Sequence, residues 1–297
     1  MIITHIIGGL GNQMFQYAVG RTLSIVRQLP LYLDISSYSR YTLHQGFELQ
    51  HVFHCNAPLA SAKEMYSVLG WRAAPVIKNL LPYFNFSPFR TNSFVIEPYF
   101  HYWLGIYEVP NKVYLQGYWQ SEKYFDSISS IIRSDFTFRQ PMSAFNAAWA
   151  ERISSCCAVS LHIRRGDYAS NARTYATHGL CSVDYYHKAV RYIAERVDKP
   201  EFFIFSDDID WVKNNLTLGY PCYYLDHNRG KESYNDMHLM SLCRHHIIAN
   251  STFSWWAAWL NPHSQKIVVA PAQWFSPHGR GAQNATIDLI PKDWVVL

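Results

Sequence analysis

The first part of the chain combines a short β-rich run with an apolar pattern of helical period. A β-rich run at 2–7 stops at Gly8, where a permissive backbone replaces the strand. Apolar residues then recur at steps of three and four and predict a helix, which Pro30 closes: Phe15, Ala18, Val19, Leu23 and Val26. A second strand-like run at 31–33 ends at Asp34. The pattern therefore predicts a strand, a glycine-rich turn, a helix and a second strand.

The second half of the chain alternates strand-like and helix-like segments from Ala158 to the end. The predicted strands cover 158–163, 202–205, 223–225, 247–249 and 267–270. The predicted helices cover 184–197, a segment that begins near 208, 235–243 and 253–260. Strands with intervening helices predict a parallel, doubly wound sheet. Residues 40–110 show only weak periodicity, and 113–117 predicts one more strand.

The length of 297 residues predicts two domains of about 150 residues, or one large domain. The break between the two patterns of strands and helices falls at 144–155, so we predict domains at 1–150 and 151–297. Apolar residues make up 49% of the chain and charged residues 16%, which excludes a disordered chain or a coiled coil.

The net charge of +4 is spread along the chain without runs of Lys or Arg. This distribution excludes nucleic-acid binding and leaves at most peripheral membrane contact, whereas an anionic small ligand is easily accommodated. The sequence has neither an apolar stretch of about 18 residues nor an N-terminal signal segment, so the cytoplasm is the expected location. The 6 cysteines show no Cys-x-x-Cys spacing, and free thiols are expected.

Polar residues follow the predicted strands of the second half. In parallel sheets ligands bind at the carboxyl ends of the strands. The residues at those positions combine two cations with acids, hydroxyls and an amide: Arg164, Arg165, Ser206, Asp207, Asp226, Asn250, Ser251 and Thr252. This combination suits a nucleoside diphosphate.

The segment 162–168, His-Ile-Arg-Arg-Gly-Asp-Tyr, is the most specific motif. Guanidinium groups form paired hydrogen bonds to phosphate and stay charged, so Arg164 can hold a diphosphate and stabilise it as a leaving group. Arg165 is a second candidate, although one of the two arginines could instead pair with Asp167 and pin the loop. The tripeptide Arg-Gly-Asp also spells an integrin ligand, which an enzyme-like chain disfavours.

The segment 8–13, Gly-Gly-Leu-Gly-Asn-Gln, lies between the first predicted strand and helix. A backbone without Cβ atoms at Gly9 and Gly11 lets a ligand approach the helix N-terminus. The side-chain amides of Asn12 and Gln13 can donate hydrogen bonds to such a ligand. A plain capping role is the alternative.

These two motifs and the segment 236–259, with Ile-Ala-Asn-Ser-Thr-Phe-Ser-Trp-Trp-Ala-Ala-Trp at 248–259, closely resemble the bacterial α-1,2-fucosyltransferases of glycosyltransferase family 11. The match spans nearly the whole chain, in order. The resemblance implies an α/β, GT-B-like fold of two facing Rossmann-like domains, the first on the acceptor side and the second binding GDP-fucose. It also implies inverting transfer of L-fucose from GDP-fucose to the 2-hydroxyl of a terminal galactose in a glycan, without a cofactor or a metal. The galactoside itself is left open: lactose, a β1,3-linked disaccharide or an O-antigen repeat.

Several site residues are implied by this resemblance. Arg164 resembles the arginine that grips the donor diphosphate, and His162 lies on the guanosine side. Asp236 is similar to the acid that reads guanine, and Asn12 to the amide that faces donor and acceptor. Phosphate or ribose contacts are implied for the hydroxyls of Ser251, Thr252 and Ser254. The remaining motif residues complete the predicted donor-binding set: Gly9, Gly11, Gln13, Arg165, Asp167 and Asn250. The acceptor-binding region at 38–110 is too variable to transfer by residue.

The predicted mechanism is a single displacement in which Arg164, the catalytic candidate, stabilises the departing diphosphate, with Asn12 beside the reacting groups. The base is left open. Asp34 ends the second strand and is one candidate, a loop-capping role is its alternative, and a weak base or none is compatible with early departure of GDP.

Two rival functions follow from other features. Asp208 and Asp210 imitate the Asp-x-Asp that carries Mn²⁺ in metal-dependent transferases, although carboxylates in a first helical turn also complement the helix dipole. Loss of turnover in EDTA would favour the metal-dependent enzyme. The 10 Trp and 21 Tyr suit a non-catalytic carbohydrate-binding protein, which would bind glycan without GDP.

Overall fold

The computed structural model describes residues 1–39, 41, 44–81, 91–166, 171–277, 279 and 281–297. The chain forms two compact units: unit 1 is Met1–Arg139 with Ala285–Leu289, and unit 2 is Gln140–Asn284 with Ile290–Leu297. The boundary after Arg139 precedes the predicted one at residue 150, because a helix at Ala144–Ser154 belongs to unit 2.

Unit 1 contains a sheet of parallel strands: β1 (Ile2–His5), β2 (Leu31–Asp34), β3 (Phe94–Ile96) and β4 (Val113–Gln116). Their order is β2-β1-β4-β3. Strand β1 lies in the interior of the sheet and all its residues are buried, which explains its continuous β-rich run. Helix α1 (Leu10–Arg27) connects β1 to β2, as the apolar period predicts.

The other helices of unit 1 are α2 (Leu49–Val52), α3 (Ala62–Leu69), α4 (Pro75–Leu80) and α5 (Ser129–Asp135). Short 3₁₀ helices lie at Ser36–Ser39, Gly70–Ala73, Leu104–Glu108, Glu122–Tyr124 and Asp126–Ile128. Helix α3 begins with a capping box, in which Ser61 and Glu64 satisfy each other's backbone N–H groups. Its apolar face packs on Ile3 and Tyr114 of the sheet.

Unit 2 contains the second sheet, whose strands are β5 (Cys157–Ile163), β6 (Pro200–Ser206), β7 (Cys222–Leu225), β8 (His245–Ile247), β9 (Val268–Ala270) and β10 (Val295–Val296). All pairs are parallel, and the order is β10-β9-β8-β5-β6-β7. The predicted α/β class with parallel sheets is confirmed in both units.

The helices of unit 2 are α6 (Ala144–Ser154), α7 (Ala172–His178), α8 (Val183–Ala194), α9 (Ile209–Asn215), α10 (Tyr234–Leu242) and α11 (Thr252–Leu260), with a 3₁₀ helix at Gly230–Glu232. Strands β5 and β6 are the core of the sheet, and α8 packs on them through Tyr186, Ala189 and Ile193, all buried. Burial on both faces accounts for the unbroken apolar run of β6.

Strand β8 lies at His245–Ile247, so its predicted position at 247–249 was wrong. His246 is fully buried, and its ring nitrogens contact Ser160 Oγ at 2.8 Å and Asn261 Nδ2 at 2.7 Å. Burial holds the pKa of His246 well below its usual range, so the ring is neutral. These tertiary partners let His246 occupy a buried strand.

Each sheet has one point where the strand order reverses, and we call this the switch point. In unit 1 it lies between β1 and β4, because β1 leads to β2 on one side while β4 pairs on the other. In unit 2 it lies between β5 and β8, since β6 and β7 extend the sheet on one side and β8 to β10 on the other. Crevices at such points, at the carboxyl ends of the strands, are the usual ligand sites of parallel sheets.

Among the helices that the structure describes, none combines the length and the apolar character that a transmembrane segment requires.

Candidate functional site

The glycine turn after β1 brings Asn12 to the switch point of unit 1. Gly8 has φ of +89°, which favours glycine, and a Cβ there would lie 2.7 Å from Asn12 Nδ2. Gly9 is the N-cap of α1 and makes no side-chain capping bond, and its carbonyl accepts Asn12 N–H at 2.9 Å. The turn therefore packs directly against the Asn12 side chain.

Asn12 joins the two strands of this switch point. Gln120, which follows β4, donates through Nε2 to Asn12 Oδ1 at 2.9 Å. The other polar atom of Gln120, Oε1, is buried and has no hydrogen-bond partner among the described residues. An unsatisfied carbonyl oxygen at a switch point marks a place where a ligand or an ordered water is expected.

Both polar atoms of the Gln13 side-chain amide form hydrogen bonds within unit 1. Its Nε2 donates to the carbonyls of Gly8 at 3.0 Å and Gly46 at 2.8 Å, while its Oε1 accepts the N–H groups of Glu48 and Leu49 at 3.0 and 3.1 Å. These four bonds fix the segment before α2 to the glycine turn. The predicted donor contact of Gln13 stays a prediction, and these bonds favour a positioning role.

Asp34, the candidate base, is held in a buried ion pair. Its Oδ2 accepts from Lys78 Nζ at 2.6 Å and from the Tyr114 hydroxyl at 2.7 Å, and its Oδ1 accepts Ser36 N–H at 3.0 Å. Although burial alone would raise it, the pKa of Asp34 is lowered to about 2 by Lys78 and these donors. A carboxylate this acidic is a weak base at neutral pH, which favours the loop-capping alternative.

Arg164 and Arg165 follow β5 at the switch point of unit 2. Arg164 Nη1 lies 2.9 Å from Asp207 Oδ2, while Asp207 Oδ1 accepts the N–H groups of Arg165 and Gly166 at 2.8 and 2.9 Å. The Arg165 guanidinium stacks on Trp211, 3.6 Å from the ring centroid, and Arg165 Nε donates to Asp208 at 3.2 Å. Arg165 is thus held by two neighbours, while the guanidinium of Arg164 pairs with Asp207 and is partly exposed at this edge.

The partner predicted for one arginine, Asp167, lies outside the described residues. Asp207 occupies the corresponding role, since it pairs with Arg164 and binds the backbone of the loop that follows β5. Asp207 was one of the polar residues predicted to follow the strands. Its pairing with Arg164 depends on the register of β5 and β6, which a local sequence pattern does not give.

His162, within β5, is buried beside Arg164. Burial, which outweighs the opposing effect of Asp207, lowers the pKa of His162 to about 4, and the nearby Arg164 adds to the shift. Its ring lies 5.9 Å from that of Phe253, between centroids, and its Nδ1 has no hydrogen-bond partner in the described part of the chain. A neutral imidazole with one unused nitrogen is therefore present at this edge.

The segment that follows β8 leads into helix α11. Asn250 is buried and its Nδ2 donates to the carbonyls of His178 and Trp274 at 3.0 and 3.2 Å, so it orders neighbouring loops. Ser251 is the N-cap of α11 but makes no side-chain capping bond, while Ser254 Oγ donates to the Ser251 carbonyl at 3.2 Å. Without a side-chain cap, the first N–H groups of α11 are suited to an anion, beside the hydroxyl of Thr252.

Asp236 lies in the first turn of α10. Burial raises the pKa of Asp236 to about 7, Asn228 Nδ2 donates to its Oδ1 at 2.8 Å, and nearby Asp226 adds to the rise. Asn228 is itself held by Asn146 through two hydrogen bonds of 3.0 and 3.1 Å. A half-buried carboxylate with one ordered neighbour and spare acceptor capacity suits a ligand that presents two N–H donors.

Asp208, the first residue of the metal-like pair, caps α9. Its Oδ1 accepts Trp211 N–H at 3.2 Å, and Asp210 lies in the first turn. The predicted role of Asp208 at the start of a helix is therefore confirmed by this capping bond.

The sequence motifs did not single out Glu97 or Gln120. Glu97 follows the three-residue edge strand β3 in the stretch with weak periodicity, and Gln120 lies just beyond the predicted strand at 113–117. The rule that pointed to Arg164, namely a polar residue directly after a strand, would have found Glu97 if β3 had been recognised.

Comparisons with known proteins agree with these features. The sequence profile of "Glycosyl transferase family 11" matches residues 1–295. An Escherichia coli protein named alpha-1,2-colitosyltransferase is 36% identical over 99% of this chain and 98% of its own length. The E. coli O-antigen biosynthesis glycosyltransferase WbnK is 35% identical over 95% of this chain and 96% of its own length.

More distant relatives include a bovine galactoside 2-alpha-L-fucosyltransferase, SEC1, 25% identical over 85% of this chain and 62% of its own. Among solved structures, the fucosyltransferase NodZ from Bradyrhizobium matches with a TM-score of 0.52 and 14% identity, covering 88% of this chain and 92% of that one. A crystal structure of NodZ alpha-1,6-fucosyltransferase with GDP matches with a TM-score of 0.53 at the same identity and coverage. The GT-B-like fold class is confirmed.

The family match and the two bacterial relatives identify the chain as a glycosyltransferase, in agreement with its two parallel sheets and their polar switch points. The chain belongs to glycosyltransferase family 11.

Proposed function

We propose that this protein transfers L-fucose from GDP-fucose to the 2-hydroxyl of a terminal galactose, with inversion at the sugar C1 and without a metal ion. The observation that carries the proposal is the arrangement at the switch point of unit 2. Arg164 follows β5, and the N-terminus of α11 follows the adjacent strand β8. A guanidinium fork and uncapped helix N–H groups at neighbouring strand ends are suited to a diphosphate.

Asp236 supports guanine as the base. Guanine presents N1–H and the 2-amino group side by side, and a carboxylate can accept both. Because Asp236 is half-buried and one of its oxygens is already ordered by Asn228, these donors would meet a preorganised acceptor. The ionised form would then be favoured by the bound base.

The donor sugar and the acceptor are proposed from the relatives. The bovine relative is named a galactoside 2-alpha-L-fucosyltransferase, which supports fucose and the galactose 2-hydroxyl. A second candidate donor is GDP-colitose, because the relative with 36% identity is named an alpha-1,2-colitosyltransferase. Colitose lacks the 3-hydroxyl of fucose, so a site that hydrogen-bonds this hydroxyl would discriminate between the two sugars.

In the proposed reaction the acceptor hydroxyl attacks C1 of the sugar while the bond from C1 to the GDP oxygen breaks. Negative charge develops on the diphosphate as GDP leaves. Arg164 and the N-terminus of α11 would stabilise this charge, which is the role that a divalent ion takes in metal-dependent transferases. Metal independence is therefore part of the proposal.

A transfer assay tests the proposal. The purified protein is incubated with GDP-fucose or GDP-colitose and a panel of β-galactosides that includes lactose, with and without EDTA, and the linkage is read by NMR. Transfer to O2 from GDP-fucose in EDTA is the expected result. Transfer from GDP-colitose alone would change the sugar in the proposal, and glycan binding without any transfer would favour the carbohydrate-binding alternative.

A further inference from the structure

A chain of side-chain hydrogen bonds within unit 2 ends at Asp236. Asn146, in the first turn of α6, donates through Nδ2 to Asn228 Oδ1 at 3.0 Å, and its own Oδ1 accepts from Asn228 Nδ2 at 3.1 Å. Asn228 Nδ2 also donates to Asp236 Oδ1 at 2.8 Å. The two amides thus form a reciprocal pair, and the second N–H of Asn228 is directed to the carboxylate.

The reciprocal pair fixes which end of the Asn228 amide meets Asp236. If the Asn228 amide were turned over, its oxygen would face two other acceptors, the Asp236 carboxylate and Asn146 Oδ1. His227 Nε2 lies 2.7 Å from Asn146 Oδ1, and the tautomer with a proton on Nε2 donates to it. His227 therefore holds Asn146 in the orientation that the pair requires.

Helix α6 places Asn146 on a rigid element. Asn146 is 3% exposed. Further along α6, the Trp149 ring meets Phe203 of β6 edge-on, with 6.3 Å between centroids, and Arg152 donates to the Tyr223 hydroxyl of β7 at 2.8 Å. The amide of Asn146 is thereby tied to the sheet, and it gives the loop after β7 a fixed reference.

The ionised form of Asp236 depends on the same contact. Burial raises the pKa of Asp236 to about 7, the hydrogen bond from Asn228 opposes this rise, and nearby Asp226 adds to it. An N–H donor held against Oδ1 favours the carboxylate, whereas a carbonyl oxygen in its place would favour the protonated acid. Only the carboxylate can accept two N–H donors of a base at once.

We propose that Asn146 is a positioning residue for guanine recognition, which acts through Asn228 to hold Asp236 as the acceptor of guanine N1–H and the 2-amino group. This inference rests on the proposed function, because it requires a guanine nucleotide at Asp236. In this role Asn146 contributes to the choice of base and has no part in the transfer of the sugar. All the residues involved belong to unit 2.

Inosine diphosphate (IDP) separates the reading of the base from the rest of nucleotide binding. IDP has the ribose, the diphosphate and the N1–H of GDP but lacks the 2-amino group. An ordered carboxylate gains a second charged hydrogen bond from GDP, which corresponds to an affinity about 10- to 100-fold higher than for IDP. A carboxylate that is free to turn loses most of this difference.

The test measures the affinities of the whole chain for GDP and IDP by calorimetry at pH 8, where Asp236 is ionised. Asn146→Leu replaces the amide by an apolar group of similar size, and its folding is checked by circular dichroism. The ratio of the two affinities should fall at least about threefold, mainly through weaker binding of GDP. In the Asp236→Asn background the same substitution should change the ratio less than about 1.5-fold, because the group through which Asn146 acts is gone.

Asn261→Leu is the matched control. Asn261 is also 3% exposed and belongs to unit 2, but its Nδ2 donates to the Cys243 carbonyl at 2.7 Å and contacts His246 at the same distance. Its loss should lower stability and leave the ratio of GDP to IDP affinity within about 1.5-fold of the wild type.

The proposal is overturned if Asn146→Leu keeps the wild-type ratio, if it weakens GDP and IDP equally, or if Asn261→Leu narrows the ratio as much. An equal effect of Asn146→Leu in the Asp236→Asn background would also overturn it. Should Asn146→Leu fail to fold, Asn146→Ser, which leaves room for a water beside Asn228, must narrow the ratio, and a wild-type ratio in that variant would refute the inference. Equal affinities of the wild type for GDP and IDP would refute guanine reading in the proposed function, and this inference with it, before any variant is made.

Discussion

The ion pair between Asp34 and Lys78 allows a structural role to be separated from a catalytic one. Both side chains are almost completely buried, with 5% and 7% exposed, and Lys78 Nζ also donates to Ser36 Oγ at 2.6 Å. Asp34→Asn leaves the Lys78 ammonium buried without its counter-charge, and Lys78→Met leaves the carboxylate. Removal of one partner of such a pair costs about 3–5 kcal/mol.

The lowered pKa of Asp34 gives a second, independent value for the stabilisation by this ion pair. A pKa lowered from 3.8 to about 2 corresponds to about 2.5 kcal/mol of stability at neutral pH. Because the folded-state pKa is depressed, this stability is fully present above pH 3.8 and is lost as the pH falls through about 2. Urea unfolding followed by tryptophan fluorescence should therefore show a loss of at least this size for Asp34→Asn at pH 7.

The double variant Asp34→Asn/Lys78→Met completes the cycle. It removes both charges, so its loss of stability should be smaller than the sum of the single losses by at least about 2 kcal/mol. Additive losses, within about 0.5 kcal/mol, would refute the ion-pair argument. Turnover of folded Asp34→Asn should stay within about tenfold of the wild type, and a loss of more than about 100-fold would restore Asp34 as a candidate base.

Four further outcomes are expected. Arg164→Ala should keep its circular dichroism spectrum and lower kcat about 100- to 1000-fold, and Arg164→Lys should restore it only in part because an ammonium cannot form the guanidinium fork; wild-type turnover in Arg164→Ala would remove this residue from the mechanism. Asp236→Asn should weaken GDP binding in calorimetry by about 1.5–3 kcal/mol, and equal competition by GDP and ADP against the wild type would show that guanine is not read. Glu48→Gln should raise the free energy of unfolding at pH 8 by up to about 3 kcal/mol and leave it unchanged at pH 4, because the pKa of Glu48 is raised from 4.5 to about 7 in the folded state and stability is lost as the pH rises through that interval; an equal effect at both pH values would contradict this. Transfer should continue in millimolar EDTA, and Asp208→Ala should cost about 1 kcal/mol of stability through loss of its cap with kcat little changed, whereas activity that EDTA abolishes and Mn²⁺ restores would make Asp208 a metal ligand.

Local sequence patterns predicted the elements that lie deep in the two sheets. Strands β1, β5 and β6 were recognised as continuous apolar or β-rich runs, because both of their faces are buried. Helix α1 was recognised from its helical period, because one of its faces is buried. Strand β3 was not predicted, since it is a short edge strand whose three residues are at most half buried. Its pairing with β4 depends on contacts distant in sequence, which a local period does not record.

The candidate site was predictable in part for the same reason. Arg164 follows a strand that was recognised, and the glycine turn has its own composition signal. Glu97 depends on β3, and the buried partner of Asp34, Lys78, depends on a helix in the weakly periodic stretch. The sequence therefore indicated which residues lie at strand ends but not whether each one is paired, and this decides which acid can act as a base.

Unit 1 is built from two chain segments that are distant in sequence, and this matters for recombination among relatives. The pentapeptide Ala285–Leu289 belongs to unit 1 although its neighbours in sequence belong to unit 2. Asp288 of this pentapeptide accepts Tyr102 N–H at 3.0 Å and forms an ion pair with Lys123, so it stabilises the segments on either side of β4. A chimera that joins residues 1–139 of this chain to the rest of a relative would receive a foreign pentapeptide there. Exchange of an intact unit 1 between family members is thus expected to need two grafts, the long segment and these five residues.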